Sequence, residues 1–280
     1  MNRLSIIPCA LLVSLAPAQE PIYRVTVERR TVVAVNYGHR GEPTRIDFRG
    51  TVLLPEAKGE ARIESRSGSV EVDAKFERLT PPTRFGREYL TYVLWAITPD
   101  GRPINLGEVV ADGSNKAKLK VTTQLQAFGL IVTAEPYFAV TQPGNIVVLE
   151  NVLRPDTVGK VEQVAARYEL LPRRPYPAGP RTVEIRDAAP EDSGSKKLTQ
   201  DEYEAVLALY QAQNALQIAR AEGADRYAAS TLQKAGQLYA DAQKLQGDKG
   251  ESRRVVMMAR EAAQAAGDAR AIALAHKESK

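Results

Sequence analysis

One cysteine, two histidines and one tryptophan are all that 280 residues hold of these types. The cysteine, Cys9, lies in an apolar stretch near the start, so a chain trimmed there carries no disulfide and no thiolate metal site. The histidines, His39 and His276, stand too far apart in sequence for a local zinc motif. The first follows Tyr37-Gly38 in an expected loop and the second lies near the C-terminus, so neither is expected to serve a nucleophile as its base. There is no Gly-x-Ser-x-Gly elbow, no Gly-rich loop ending in Gly-Lys-Ser/Thr and no Asp-rich calcium loop. Catalytic, cofactor and metal residues are therefore expected to be none, and the chain is expected not to be an enzyme. No run reaches the roughly 20 apolar residues that span a bilayer, so no transmembrane segment is expected in the mature chain. A concentrated basic stripe is missing too. The formal charge is +4, and from Thr199 onward eleven Lys/Arg face eleven Asp/Glu. That balance excludes nucleic acid as a partner.

What is present begins with a secretory pattern. Arg3 gives a positive start, Leu4 to Leu15 an apolar stretch, and Ala16-Pro17-Ala18 a small-x-small cleavage site. Residues 1–18 read as a signal peptide, and Ile6-Ile7-Pro8-Cys9 does not fit a lipoprotein. The expected location is the periplasm or the outer envelope.

Residues 19–171 read as β structure. Arg24-Val25-Thr26-Val27-Glu28 alternates apolar and polar. Ala61-Arg62-Ile63-Glu64 and Val70-Glu71-Val72-Asp73 flank Ser67-Gly68, a hairpin signature. Tyr92 to Ile97 is a continuous apolar run closed by the turn Pro99-Asp100-Gly101. Further strands fall at Asn105–Val110, Ala117–Thr122, Gly129–Ala134 and Ile146–Glu150. Short strands at close spacing predict an Ig-like β-sandwich. Residues 172–198 are rich in proline, glycine and serine and read as a linker.

Residues 199–280 read as helical. Thr199 and Glu202 have capping-box spacing. Helices are expected over roughly 200–222, 226–246 and 251–277, broken at Gly223 and Gly247–Gly250. Alanine recurs every seventh residue: Ala205, Ala212, Ala219; Ala228, Ala235, Ala242; Ala259, Ala266, Ala273. This predicts a close-packed antiparallel three-helix bundle. The fold class is thus α+β, multidomain.

Two stretches resemble known families. Tyr92-Val93-Leu94-Trp95, Pro99-Asp100-Gly101 and Gly107, with Leu130 to Pro136 and Gln142-Pro143-Gly144, are similar to the periplasmic β-sandwich of the anti-sigma-K type, over about residues 90–151. Ala219-Arg220, Tyr227-Ala228, Leu232 with Ala235, and Ala259-Arg260-Glu261-Ala262 resemble the helical domain of unknown function 4398. The second resemblance implies an exported protein and supplies no site residues.

Acidic residues offer little chemistry. Asp201, Glu202 and Glu204 suit a helix start. Glu135 interrupts an apolar strand before Pro136, which points to an edge-strand or outward-facing position. Of the aromatics, Trp95 is expected in the core, and Tyr137 with Phe138 offer a contact surface without defining a binding site. The expected function is a non-enzymatic structural or interaction role in the envelope, with an envelope protein or a glycan such as peptidoglycan as partner. The alternatives are a periplasmic sensor module related to anti-sigma factors and a carboxylate-dependent hydrolase. The sandwich face that is used and the oligomeric state are left open.

Overall fold

The computed structural model describes residues 28–38, 43–157, 160–170, 199–246, 248 and 250–279. The expected signal peptide, the strand start at Arg24 and the linker 172–198 lie outside these residues.

The first part is an antiparallel sheet of ten strands. They are β1 (Glu28–Asn36), β2 (Thr44–Gly50), β3 (Lys58–Arg66), β4 (Ser69–Glu77), β5 (Thr91–Ile97), β6 (Pro103–Val109), β7 (Lys116–Thr123), β8 (Ala127–Glu135), β9 (Val147–Leu153) and β10 (Lys160–Leu170). The hydrogen-bonded order runs β10-β1-β8-β9-β2-β3-β4-β7, with β5 paired to both β8 and β6. β6 also packs near β7, so the sheet curls almost into a barrel. Closing in this way removes most free edges.

Side-chain alternation explains the curl. In β2 and β4 every second residue is buried: Ile46 and Phe48, then Val70, Val72, Ala74 and Phe76. These fill an interior shared with Tyr92, Leu94, Phe128, Leu130 and Val132. The intervening residues of β2–β4 are charged and face outward, as a half-buried strand requires. The hairpin forms as expected, with Arg66 opposite Ser69 and Gly68 at φ +78, a turn position that favours glycine. Asp100-Gly101 closes β5 to β6, and the Gly101 amide bonds to the Thr98 carbonyl at 2.8 Å.

The second part is helical: α1 (Gln200–Ala221), α2 (Ala224–Tyr227), α3 (Ala229–Leu245) and α4 (Ser252–Glu278). The capping box forms, with Thr199 accepting from the Glu202 amide and Glu202 from the Thr199 amide. The break after α1 holds an extra single-turn helix, α2, beyond the three expected. All nine alanines of the seven-residue series are buried, and α4 packs against both α1 and α3. Methyl-sized side chains let helix axes approach closely, at little apolar area per residue.

β5 explains where the helices sit. Its even residues Tyr92, Leu94 and Ala96 enter the sheet interior. Its odd residues Val93, Trp95 and Ile97 join a second core with Ile131, Val147 and the helix alanines. The run from Tyr92 to Ile97 is continuously apolar because both of its faces are covered.

Candidate functional site

The richest polar chemistry of the described residues lies between the sheet and the helices. It begins at Glu135, the last residue of β8. β8 pairs with β1, β5 and β9, so Glu135 ends a central strand and not an edge. It points away from the sheet interior, as expected, yet α4 covers that face and leaves Glu135 only 3% exposed. Trp95 Nε1 donates to Thr133 Oγ1 at 2.8 Å, and the Thr133 hydroxyl donates onward to Glu135 Oε1. The Gly144 amide donates to the same oxygen at 2.7 Å. Burial pushes the Glu135 carboxyl up to about 7, against the opposing pulls of the Thr133 hydroxyl, the Gly144 amide and the Arg270 charge. Arg270, on α4, is 6% exposed. Tyr137 is fully buried beside it, and burial raises its phenol above the ordinary range.

A second carboxylate stands one strand away. Thr91 pairs with Glu135 across β5 and β8, and its hydroxyl donates to Glu108 Oε1 at 2.8 Å. Gln211 Nε2 of α1 donates to the same oxygen at 2.7 Å, and Arg260 of α4 forms a short ion pair with Oε2. The Arg260 guanidinium also lies 3.9 Å from the Phe138 ring centroid. Glu108 thus joins β5, β6, α1 and α4.

Backbone groups complete the contact. Gln211 Oε1 accepts from the Phe138 amide at 2.9 Å. Asn214 Nδ2 donates to the carbonyls of Glu88 and Pro136. Asn105 Nδ2 donates to those of Phe138 and Val140. Gly267 of α4 lies so close that a Cβ there would stand 3.1 Å from the Ala139 carbonyl. The loop 136–146 is therefore held from both sides.

The residues singled out from sequence do not assemble into one site. His39 lies outside the described residues. His276 is exposed and stacks on Tyr227 at 5.5 Å. Asp201, Glu202 and Glu204 occupy the first turns of α1. Trp95 is core, as expected. Tyr92 faces the opposite side of β5, into the sheet interior. Tyr137 and Phe138 are not the open contact surface expected of them, because α1 and α4 cover their loop. Sequence reasoning missed Glu108, Gln211, Asn214, Arg260 and Arg270. The available signal was Gln211 and Asn214, polar residues three apart on a helix face otherwise made of Ala208, Ala215 and Ile218.

A third buried acid, Glu222, ends α1 and bonds Lys277 of α4 at 3.1 Å. That cation offsets a negative charge at the end of the helix where the dipole disfavours it. Among the described residues no group of three or more His, Cys, Asp and Glu side chains could hold a metal ion. Among them, too, no helix is long and apolar enough to cross a membrane. No protein-family model matches the chain, and no curated protein matches it.

Proposed function

We propose that this chain is an exported, non-enzymatic protein of the bacterial cell envelope with a structural or interaction role. The observation that carries the reading is how the buried acids are used. Glu108 and Glu222 engage groups of other elements, Gln211 with Arg260 and Lys277, while Glu135 is held by Thr133 of its own strand and by the Gly144 amide of the following loop. A buried carboxylate held by several such partners is a fastening, whereas a catalytic one has a substrate position beside it. The start of the chain, Arg3 to Ala18, supports export. In finer terms we read the curled sheet as an Ig-like sandwich, the three long helices as an antiparallel bundle, and residues 172–198 as the linker between them.

The surface offered to an envelope protein or glycan is the outer face of β2, β3, β4 and β7. It carries Arg62, Glu64, Glu71, Lys75 and Lys120, linked in part by ion pairs such as Lys120–Glu71 at 2.9 Å. The opposite region, over β5 and β8, is taken by the helices. The test is co-sedimentation of the purified protein with peptidoglycan or outer-membrane material, repeated with single neutral replacements of the acids on β2–β4. Binding that survives most replacements is the expected result. Turnover of a glycan or peptide that one carboxylate replacement abolishes would overturn the reading.

A further inference from the structure

Two strand edges of the sheet face one another without pairing. β7 stands at one end of the hydrogen-bonded order, joined only to β4, and β6 is joined only to β5. Among the described residues no ladder joins β6 to β7, although the two run close. The interior core is thinly covered along this seam. Ile104 and Leu106 of β6, with Leu119 and Val121 of β7, pack against that core yet stay only half-buried. One strand further in, Val70, Val72, Ala74 and Phe76 of β4 are all buried. Gly107 of β6 brings backbone alone to the seam: a Cβ there would stand 3.6 Å from Val121 and 3.7 Å from Leu119. Gly107 is itself partly exposed, so solvent reaches the backbone at this point.

The outer side of β7 is cationic. Exposed Lys116, Lys118 and Lys120 alternate with Ala117, Leu119 and Val121. Lys120 pairs with Glu71 at 2.9 Å. Lys116 stands opposite Glu77, whose carboxylate is taken by Lys58 at 3.2 Å. Lys118 stands opposite another cation, Lys75, itself paired with Glu60. A second copy adding through the same edge would set lysines against lysines, and like charges directly opposite destabilise a strand pair. A strand with acids at alternate positions meets the reverse. Its acids lie beside the lysines, its apolar side chains cover Leu119 and Val121, and its backbone bonds to the free edge.

We propose that the β7 edge takes up an extended segment of another polypeptide, acidic and apolar at alternate positions, by strand addition. Such addition rests on the interaction role read above and gives that role a partner class and an edge.

Titration of the full chain with a short synthetic peptide alternating glutamate and valine tests it, with amide hydrogen exchange as the readout. Binding should slow exchange along β7 and leave β10, at the other end of the order, unchanged. Joint replacement Lys116→Glu and Lys118→Glu, both at exposed positions, should weaken binding about tenfold. A lysine–valine peptide should bind that variant better than the parent. The glutamate–valine peptide N-methylated at every residue keeps its charges, loses its backbone donors and should not bind. Equal affinity for parent and variant, binding of the N-methylated peptide, or protection of β7 that needs only a second copy at higher concentration would overturn the proposal. If the peptide does not bind while co-sedimentation with envelope material persists, strand addition falls and the broader binding role stands. Loss of both would remove that role as well.

Discussion

Glu108 and Glu135 differ in how their charge is met. Glu108 has a direct ion pair with Arg260 and two further donors, so its replacement by alanine leaves Gln211, Thr91 and Arg260 without their acceptor. Arg260 is 41% exposed, which lets water take over part of its solvation. The loss should be about 2 kcal/mol, read as a lower urea midpoint. Removing Glu261, which pairs Lys234 with both side chains more than half exposed, should change little by the same measurement. Glu135 has no such strong pair, and its carboxyl lies near 7 against an ordinary 4.5. Between those values the folded chain binds more protons than the unfolded one, so stability falls as pH rises from about 4.5 to 7 and levels off above. Glu71 and Glu77, both part-buried on the outer sheet face and held low by hydrogen bonds from Lys120 and Lys58, act oppositely and lose their contribution as pH falls below the ordinary carboxylate range. Thermal melts of the parent and Glu135→Gln should therefore converge in acid and separate toward pH 8, with the variant more stable. Equal separation at every pH would contradict this assignment.

Among the elements, the helices and the β3–β4 hairpin were the most legible. Local signals determine them: a capping box, a seven-residue alanine series, a Ser-Gly turn between alternating strands. Ala235 is fully buried and Ala240 is not, in keeping with the series. Ala235→Leu should cost about 1–3 kcal/mol by overpacking, and Ala240→Leu less. Equal melting temperatures would dissolve the distinction. β5 was legible as a strand, but its uninterrupted apolar run did not disclose which layer covered its second face. β2 and β10 drew no specific reading, since Ile46-Asp47-Phe48 is short and β10 pairs with β1 across more than a hundred residues of chain. For Glu135 the outward-facing expectation holds, and the edge-strand one fails for a related reason. An acid beside a proline suggests an edge, and only the tertiary pairing of β8 with β5 and β9 puts it at the centre.

At the scale of the molecule, sheet and helices share a core across the β5/β8 face, although the composition of 172–198 suggests separate halves. The polar residues that join them are spread from Glu88 to Arg270, a spacing that no local pattern reveals. Removing the helices should expose Val93, Trp95, Ile97 and Ile131 together, a patch of the size that promotes association. Trp95 is the chain's single tryptophan and is fully buried in that contact, so its fluorescence reports the contact alone. The most direct measurement is the Trp95 emission of residues 19–171, alone and with residues 199–280 added, against that of the full chain. A red-shifted emission in the fragment, restored toward the full-chain value by the helical piece, is the predicted result. A fragment that is monomeric, folded and unshifted would show that the helices do not complete the sheet.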